Sequence, residues 1–230
     1  MVLSIRRLLR RLQRMLESNN IRIQTGAMAK RIPKQSRSIE KYEAIVRASS
    51  RIIEKGAFAS ASTHAIAKRA GVGVGTLYEY FDGKDDILRA VVEFESRTIW
   101  RRIEQRIPTW TTMDGATAFE ELVRELMDIA VERRGLVKVM LGQVPDVMSQ
   151  EPVVRLLGQG EVLVKLLLVR EARTPNARRT DTNAFILVNS LAGLMLGVAR
   201  GLPPSVTADD VAAQIGSLLR TLVEHRGSLF

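Results

Sequence analysis

Apolar residues recur every three to four positions along most of this chain, which is the spacing of one face of an α-helix. From about residue 38 onward the pattern is broken only near Gly and Pro, and no useful stretch alternates with the period of two that a strand requires. The pattern predicts helices near 38–55, 62–69, 73–79, 84–106, 116–133, 135–148, 151–172, 181–200 and 207–225. The expected fold class is all-α.

The segment ahead of this helical body is strongly basic. Residues 3–16 are expected to form a basic amphipathic helix, with an apolar stripe and arginines mainly on the opposite face. Residues 17–36 lack periodicity and are expected to be a linker. Residues 1–40 contain ten Lys or Arg and two Glu, which places a net +8 of the chain's total of +10 in this segment. Such an arm indicates nucleic acid or a membrane surface as a partner, and a solvated tail is the alternative. A second alternative is that translation starts at Met28.

The chain lacks the residues that several classes of function require. The chain has no Cys, and its two His residues, His64 and His225, cannot form a metal site by themselves. There is also no phosphate-binding loop, dinucleotide fingerprint or clustered carboxylate motif. We therefore expect no catalytic residue, no metal, no cofactor and no enzymatic activity.

One segment has a length and composition near those of a membrane span. Residues 182–199 form an uncharged run of 18 residues, at the lower limit for crossing a bilayer. The run contains Asn183, Asn189 and Ser190, so we interpret it as a buried helix. Since no secretory signal is apparent either, the expected localisation is cytoplasmic, in association with the nucleoid.

Two short helices joined by a glycine turn follow the first helix of the body. That first helix has Ile45, Val46, Ser49, Ile52 and Ile53 on one face, and Gly56 is expected to end it. Ser62 is a good N-cap for the second helix, and Gly71 allows a tight turn into the third. In the third helix Leu77 and Phe81 should face inward, while Thr76 and Tyr78 should face outward. A helix of this length can enter the major groove of DNA.

The sequence of residues 62–88, STHAIAKRAGVGVGTLYEYFDGKDDIL, closely resembles the DNA-binding signature of the TetR (tetracycline repressor) family. The matching parts are a Ser or Thr cap, Ile-Ala, Ala-Gly-Val, Gly-Thr-Leu-Tyr, an aromatic Phe, and a Lys followed by an acidic residue. The resemblance covers about residues 38–90 at the level of motifs. Over the remaining chain it covers only the number and length of the helices.

The resemblance implies a set of DNA contacts. Thr63, Tyr78 and Lys84 match phosphate-contacting positions, and Tyr80 matches a position that often contacts the DNA backbone. His64, Val74 and Thr76 match positions that can reach base edges, although the family often has Arg where this chain has His64. Gly73 and Gly75 would offer backbone amides to phosphate. Lys30, Arg31, Lys34 and Arg37 would form an arm along the minor groove or backbone. The alternatives are that Tyr78 is only a surface aromatic and that the arm is solvated.

The resemblance also implies a C-terminal domain that binds a small molecule and forms a homodimer. The dimer would use two apolar stripes, on Ala184, Leu187, Val188, Leu191, Leu194, Met195 and Val198 with the small residues Ala192, Gly193 and Gly197, and on Val211, Ile215, Leu218, Leu219 and Leu222. Packing of both stripes within their own domain is the alternative. The candidates for the ligand pocket are Phe94, Trp100, Trp110, Met113, Met127, Met140 and Phe185, which could equally be plain core. Arg97, Arg101, Glu104 and Asp128 could add polar contacts, and Pro145 should break its helix.

The predicted organisation is a basic arm at residues 1–37, a helix-turn-helix domain at 38–84 and an effector-binding and dimerisation domain at 85–230. The predicted function is that of a sequence-specific transcriptional regulator, a repressor released from its operator by an apolar or aromatic effector. The alternative is a membrane-associated or non-specific DNA-binding interaction protein.

Overall fold

The computed structural model describes residues 36–56, 58–144, 146–171 and 177–224. This part of the chain is helical and without strands, which confirms the predicted all-α class. The helices are α1 (Ser36–Glu54), α2 (Thr63–Ala70), α3 (Val74–Tyr80), α4 (Lys84–Trp110), α5 (Gly115–Glu132), α6 (Arg134–Gln143), α7 (Glu151–Glu171), α8 (Ala177–Arg200) and α9 (Ala208–Glu224). The predicted helix at 3–16, most of the basic arm with Lys30, Arg31 and Lys34, and Pro145 and His225 lie outside the described residues.

The helices predicted between residues 38 and 225 are all found, and the clearest difference in their bounds is at α6. The apolar pattern predicts a helix over 135–148, whereas α6 ends at Gln143 and a short 3-10 turn follows at Val147–Ser149. Val144 is extended, with φ −103° and ψ 108°. The residue before a proline is disfavoured in the helical region, which explains why the helix stops ahead of Pro145.

The chain divides into two compact units. The N-terminal unit contains the described residues up to Thr98 together with Arg133–Val154, and the C-terminal unit contains Ile99–Glu132 and the described residues from Arg155 onward. The first half of α4 is therefore part of the N-terminal unit, along with α6. The domain boundary that we predict after residue 84 stays a prediction.

The core of the N-terminal unit is built on α1. Ile45, Val46, Ile52 and Ile53 are between 0% and 7% exposed, which confirms the face predicted for the first helix. Ser49 is buried with them and donates its hydroxyl to the carbonyl of Ile45 at 2.8 Å, so its polar group is satisfied within the helix.

A glycine sets the distance between α6 and the end of α1. A Cβ atom added at Gly135 would lie 2.2 Å from the carbonyl oxygen of Glu54, far inside van der Waals contact. Because the close neighbour is backbone, it cannot move aside as a flexible side chain would. Gly135 therefore allows α6 to pack directly against the last turn of α1.

The core of the C-terminal unit joins α4, α5, α7, α8 and α9. In α8 this core takes Ala184, Val188, Leu191 and Val198, each at most 7% exposed, and Val211 and Ile215 of α9 pack against it. These are residues of the two stripes that the sequence analysis assigns to a dimer interface. That assignment is corrected for the buried residues of α8, because helical periodicity identifies a buried face but not the chain that covers it, whereas for the partly buried Val211 and Ile215 it stays a prediction.

The outer side of α8 carries apolar residues that its own chain leaves exposed. Phe185 is 58% exposed and Ile186 is 53% exposed, and Leu218 of α9 is 55% exposed. The segment Arg178–Arg200 is long and apolar enough to cross a membrane, with a mean hydropathy of 1.6, and 28% of its most apolar window is buried. This helix thus has one face in the core of its unit and one apolar face without a cover among the described residues.

Candidate nucleic-acid interface and apolar cavity

The first helix of the candidate interface, α2, is fixed at its N-terminus by its predicted cap. Ser62 has an extended backbone, and its hydroxyl accepts a hydrogen bond from the amide of Ala65 at 3.1 Å. This bond satisfies one of the amides that a helix start leaves without a partner. The inner face of α2 is Ile66 and Ala67, both fully buried, so its orientation is fixed by packing.

The turn between α2 and α3 depends on a glycine. Gly71 has φ 70° and ψ 28°, a left-handed conformation that side chains with a Cβ rarely adopt. In this conformation its amide donates to the carbonyl of Lys68 at 3.2 Å, and the amide of Val72 donates to the carbonyl of Ala67 at 3.0 Å. The chain can then enter α3 after only Val72 and Gly73.

The helix α3 presents one side to the core and the other to solvent, as predicted. Leu77 and the following Phe81 are fully buried, whereas Tyr78 is 45% exposed and Thr76 is partly exposed. Gly73 caps the helix without a side-chain hydrogen bond. Its N-terminal amides are therefore not occupied by a capping side chain and can meet an anion.

Three further predicted base-reading or amide-donating positions also lie on the surface of this region. His64 and Gly75 are exposed and Val74 is partly exposed. The structure therefore places them where DNA could reach them, and their contacts stay predictions. Arg37 at the start of α1 is exposed as well.

The two predicted phosphate-contacting hydroxyls lie together. Thr63 Oγ1 and the hydroxyl oxygen of Tyr78 are 3.0 Å apart, and either can be the donor. This bond connects the first turn of α2 with α3. Whichever group donates, the other keeps its hydroxyl proton for an outside acceptor, such as a phosphate oxygen.

Lys84 lies in a different setting from the one the resemblance implies. Its Nζ donates to the carbonyls of Phe58 at 2.6 Å and Ala59 at 3.0 Å, and it lies 4.8 Å from the centre of the Phe58 ring. The ammonium group has three N–H donors, so one remains after these two bonds. Lys84 holds the loop before α2, and its phosphate contact stays a prediction.

Tyr80 is placed in the core. It is 4% exposed, and its ring meets the ring of Tyr42 edge to face with centroids 6.1 Å apart. Burial raises the pKa of the Tyr42 hydroxyl, with opposing contributions from the charges of Arg97 and Glu93. The contact of Tyr80 with the DNA backbone stays a prediction that this placement does not favour.

Some basic residues of the N-terminal unit were not predicted as site residues from the sequence. Lys68 and Arg69 are exposed in the last turn of α2, and Lys55 is exposed just after α1. Their charges are available for long-range attraction of a polyanion. The only signal in the sequence was their charge, which on most helices means no more than a solvated surface.

The C-terminal unit contains an apolar cavity of about 80 Å³ that opens to solvent. Sites for small molecules commonly have mainly apolar linings. The lining residues come from α4, α5, α7 and α8, and none of them has a charged side chain. They are Ile99, Trp100, Ile103, Leu122, Leu126, Leu156, Leu157, Gly160, Leu163, Val164, Val188, Leu191, Ala192 and Met195.

Of the seven predicted ligand-lining residues, the structure places Trp100 on this cavity. Trp110 and Met127 are buried in the core of the same unit, and Met113 packs against that core. Phe94 and Met140 pack against the core of the N-terminal unit, and Phe185 is exposed on α8.

The polar candidates Arg97, Arg101, Glu104 and Asp128 are not lining residues of this cavity. Ligand contacts by these ten residues stay predictions.

The family model for "Bacterial regulatory proteins, tetR family" matches residues 45–91, the stretch that contains most of α1 and all of α2 and α3. A curated relative, the fatty acid metabolism regulator protein of Bacillus subtilis (strain 168), is 35% identical over 82 residues. That alignment covers 36% of this chain and 40% of the relative, so the match spans less than half of either protein.

Solved structures of regulators share the fold over most of their length. The fatty acid degradation regulator FadR from Bacillus halodurans has a TM-score of 0.60 at 19% identity, covering 82% of this chain and 96% of that one. FadR from Bacillus subtilis, solved in complex with stearoyl-CoA, has a TM-score of 0.53 at 15% identity, covering 77% and 97%. At these identities the likeness shows the fold alone.

The relatives are transcriptional regulators rather than enzymes, which confirms the prediction of a non-enzymatic protein. The residues that match the family model contain the element described above, with its Ser62 cap, its Gly71 turn and its exposed face on α3. Residues 45–91 of this chain therefore match the tetR family of bacterial regulatory proteins, and the chain is similar to DNA-binding transcriptional regulators of that family.

Proposed function

We propose that this regulator is a cytoplasmic repressor that binds operator DNA as a homodimer and is released when an apolar effector enters the cavity of its C-terminal unit. The observation that carries the proposal is that cavity, which opens to solvent and is lined without charge. A ligand that binds better to the DNA-free arrangement of the protein lowers the affinity for DNA by linkage.

The proposed dimer surface is the exposed apolar side of α8 and α9. Phe185, Ile186 and Leu218 are each more than half exposed in one chain. On the same side of α8, Gly193 and Gly197 are exposed and would let a second helix approach closely. Covering this surface with its copy removes apolar area from water, and the two-fold symmetry suits a palindromic operator.

The proposed effector is an acyl thioester with its acyl chain in the cavity. The uncharged lining favours a hydrocarbon chain and disfavours a charged group without a partner. The structural relative FadR from Bacillus subtilis was solved with stearoyl-CoA, and the curated relative is a regulator of fatty acid metabolism, which supports this class of ligand.

To test the proposal, acyl-CoA of increasing chain length is added to the protein bound to operator DNA. Fluorescence anisotropy then measures the fraction of DNA that stays bound. We expect acyl-CoA to release the protein and CoA alone to leave it bound. If acyl-CoA strengthens binding to the same DNA, the protein is not a repressor of the proposed kind.

A variant that fills the cavity connects release to this site. A Cβ atom at Gly160 would lie 3.6 Å from Cγ1 of Val188, and both residues line the cavity, so the side chain of Gly160→Leu would occupy part of it. We expect this variant to bind DNA and to resist release. Gly158→Leu, on the same helix at a position with open space, is the matched control.

The alternative of a membrane-associated protein retains one supporting observation, the length and hydropathy of Arg178–Arg200. Cofractionation with membranes that persists after residues 1–27 are deleted would favour an association through this segment. Retention of the purified protein as a dimer without detergent would favour the proposed interface instead.

A further inference from the structure

The outer side of α3 carries an acidic residue, Glu79, beside the exposed Tyr78. Leu77 and Tyr80 are buried and define the inner side of this helix. Because successive residues of an α-helix are about 100° apart, Glu79 lies on the opposite side from Leu77. Its side chain is exposed, so it lies on the surface that we propose to meet DNA.

Glu79 also has no basic residue one turn away in its own helix. Three other acidic residues of the N-terminal unit pair with an Arg one turn further along: Glu43 with Arg47, Asp86 with Arg89, and Glu93 with Arg97. The positions one turn from Glu79 hold Gly75, Thr76, Asp82 and Gly83. None of these side chains can neutralise its carboxylate through a helical ion pair.

A carboxylate on this surface opposes DNA binding in general, since it repels the phosphates of any sequence. It favours binding only where a base edge offers it a hydrogen-bond donor. Gly75, one turn before Glu79, is exposed, and a Cβ atom added there would meet nothing within 4 Å. The lack of a side chain at Gly75 leaves room for a base edge to approach Glu79.

We propose that Glu79 is a specificity-determining residue that accepts a hydrogen bond from the N4 amino group of a cytosine in the major groove. The inference rests on the proposed function and deepens it, since it names one base of the operator. Phosphate contacts, such as the one predicted for Tyr78, position the helix but carry no direct sequence information. Glu79 would supply that information.

The chemistry of the base edges selects cytosine. A carboxylate accepts hydrogen bonds and donates none. In the major groove guanine presents two acceptors, thymine an acceptor and a methyl group, and adenine a donor next to an acceptor. Cytosine presents only the N4 donor there, so its edge matches a carboxylate without an opposing acceptor.

The experiment selects binding sites from randomised duplexes with the full-length wild type, Glu79→Ala and Glu79→Gln. Anisotropy then measures the affinity of each protein for the wild-type consensus and for duplexes with single base pairs changed. In the wild type we expect replacement of one C·G pair by T·A to lower the affinity about tenfold, as one direct base contact does. Glu79→Ala should lose the preference at this pair and keep the others.

Glu79→Gln should change the preferred pair instead of only weakening the preference. The amide of Gln has both an acceptor and donors, so it can form two hydrogen bonds with N7 and N6 of adenine. We therefore expect this variant to select A·T where the wild type selects C·G. A residue with only a structural role would not produce this exchange.

Asp85 provides the control for charge. It is exposed at the start of α4, and Asp85→Asn removes the same charge as the changes at Glu79. We expect Asp85→Asn to raise the affinity for consensus and scrambled DNA by the same factor, without altering any base preference. Thermal unfolding of each variant verifies that it is folded.

The outcomes separate this inference from the proposed function. If the wild type selects a consensus and both Glu79 variants select the same one, Glu79 does not read a base, while sequence-specific binding stands. Loss of preference at an A·T pair overturns the assignment to cytosine. If the wild type enriches no sequence, the proposed operator binding fails and the inference fails with it.

Discussion

The hydroxyl oxygens of Thr63 and Tyr78 lie 3.0 Å apart and join the first turn of α2 to the exposed side of α3. Both helices are otherwise positioned through their buried faces, on Ile66 and Leu77. The pair therefore lies on the surface that we propose to meet DNA, where it holds two hydroxyl groups in one place. The hydroxyl group that accepts the hydrogen bond within this pair can donate its own proton to a phosphate oxygen.

Tyr78→Phe removes one hydroxyl of this pair and keeps the ring. Because hydrogen bonds to charged groups are worth about 1.5–3 kcal/mol, we expect DNA affinity to fall at least about tenfold. Stability should change little, since Tyr78 is 45% exposed. Fluorescence anisotropy with a fixed duplex measures the first effect, and thermal unfolding the second.

Tyr80→Phe is the matched control for that measurement. Tyr80 is two residues away, and its side chain is buried against Tyr42. We expect this variant to bind DNA as the wild type does. A loss of affinity equal to that of Tyr78→Phe would show that Tyr80 contacts the DNA backbone after all.

The salt dependence of DNA binding distinguishes two roles for Lys84. If its ammonium group mainly holds the carbonyls of Phe58 and Ala59, Lys84→Met lowers the melting temperature and leaves the slope of log K against log salt unchanged. Neutralising one phosphate would instead contribute about 0.9 to that slope. We expect the unchanged slope. A slope that becomes shallower by nearly one would assign Lys84 to a phosphate.

Gly135→Ala should destabilise the N-terminal unit. The added Cβ would meet the carbonyl oxygen of Glu54 at 2.2 Å, and overpacking of this kind costs about 1–3 kcal/mol or more. A fall of several degrees in melting temperature is expected for a chain of this size. At Gly158 in α7 an added Cβ would meet nothing within 4 Å, so Gly158→Ala should leave the stability unchanged or raise it. Equal stability of both variants would mean that α6 does not pack on α1 as described.

A capping box at the start of α9 should make stability depend on acid pH. The carboxylate of Asp210 accepts from the amide of Thr207 at 2.8 Å and from its hydroxyl at 2.7 Å, and these bonds lower the pKa of Asp210 below its ordinary value of 3.8. Since the folded pKa is depressed, the stabilisation is present above pH 3.8 and is lost as the pH falls below it.

Asp210→Asn tests this pH dependence. The wild type should unfold at a higher temperature than the variant near neutral pH, and the difference should shrink as the pH falls below 3.8, where the wild-type carboxylate is protonated. A constant difference at all pH values would show that the ionised carboxylate has no special role.

Much of the DNA-binding element could be predicted because its determinants are local in sequence. The Ser62 cap bonds an amide three residues away, the Gly71 turn is made by hydrogen bonds within five residues, and the burial of Leu77 and Phe81 follows from one helical turn. Such contacts leave direct signals in a single sequence. The family signature adds the identity of the residues on the outer face.

The remaining features depend on contacts between residues distant in sequence. Trp100 and Trp110 occupy similar apolar positions on α4, yet the first lines the cavity and the second does not. The difference arises because the packing of α5, α7 and α8 determines where the cavity lies. The contact of Gly135 with Glu54 also joins distant segments. Periodicity shows that a face is buried and does not show what lies against it.

The central claim is that this chain recognises specific DNA through α2 and α3. The most direct measurement is anisotropy binding of the purified protein to DNA from upstream of its own gene and to scrambled DNA of equal length, at one near-physiological salt concentration, with Tyr78→Ala in parallel. We expect the upstream DNA to bind much more tightly and Tyr78→Ala to lose most of that difference. Equal, weak binding of both DNAs, together with a selection from genomic fragments that enriches no sequence, would contradict the claim.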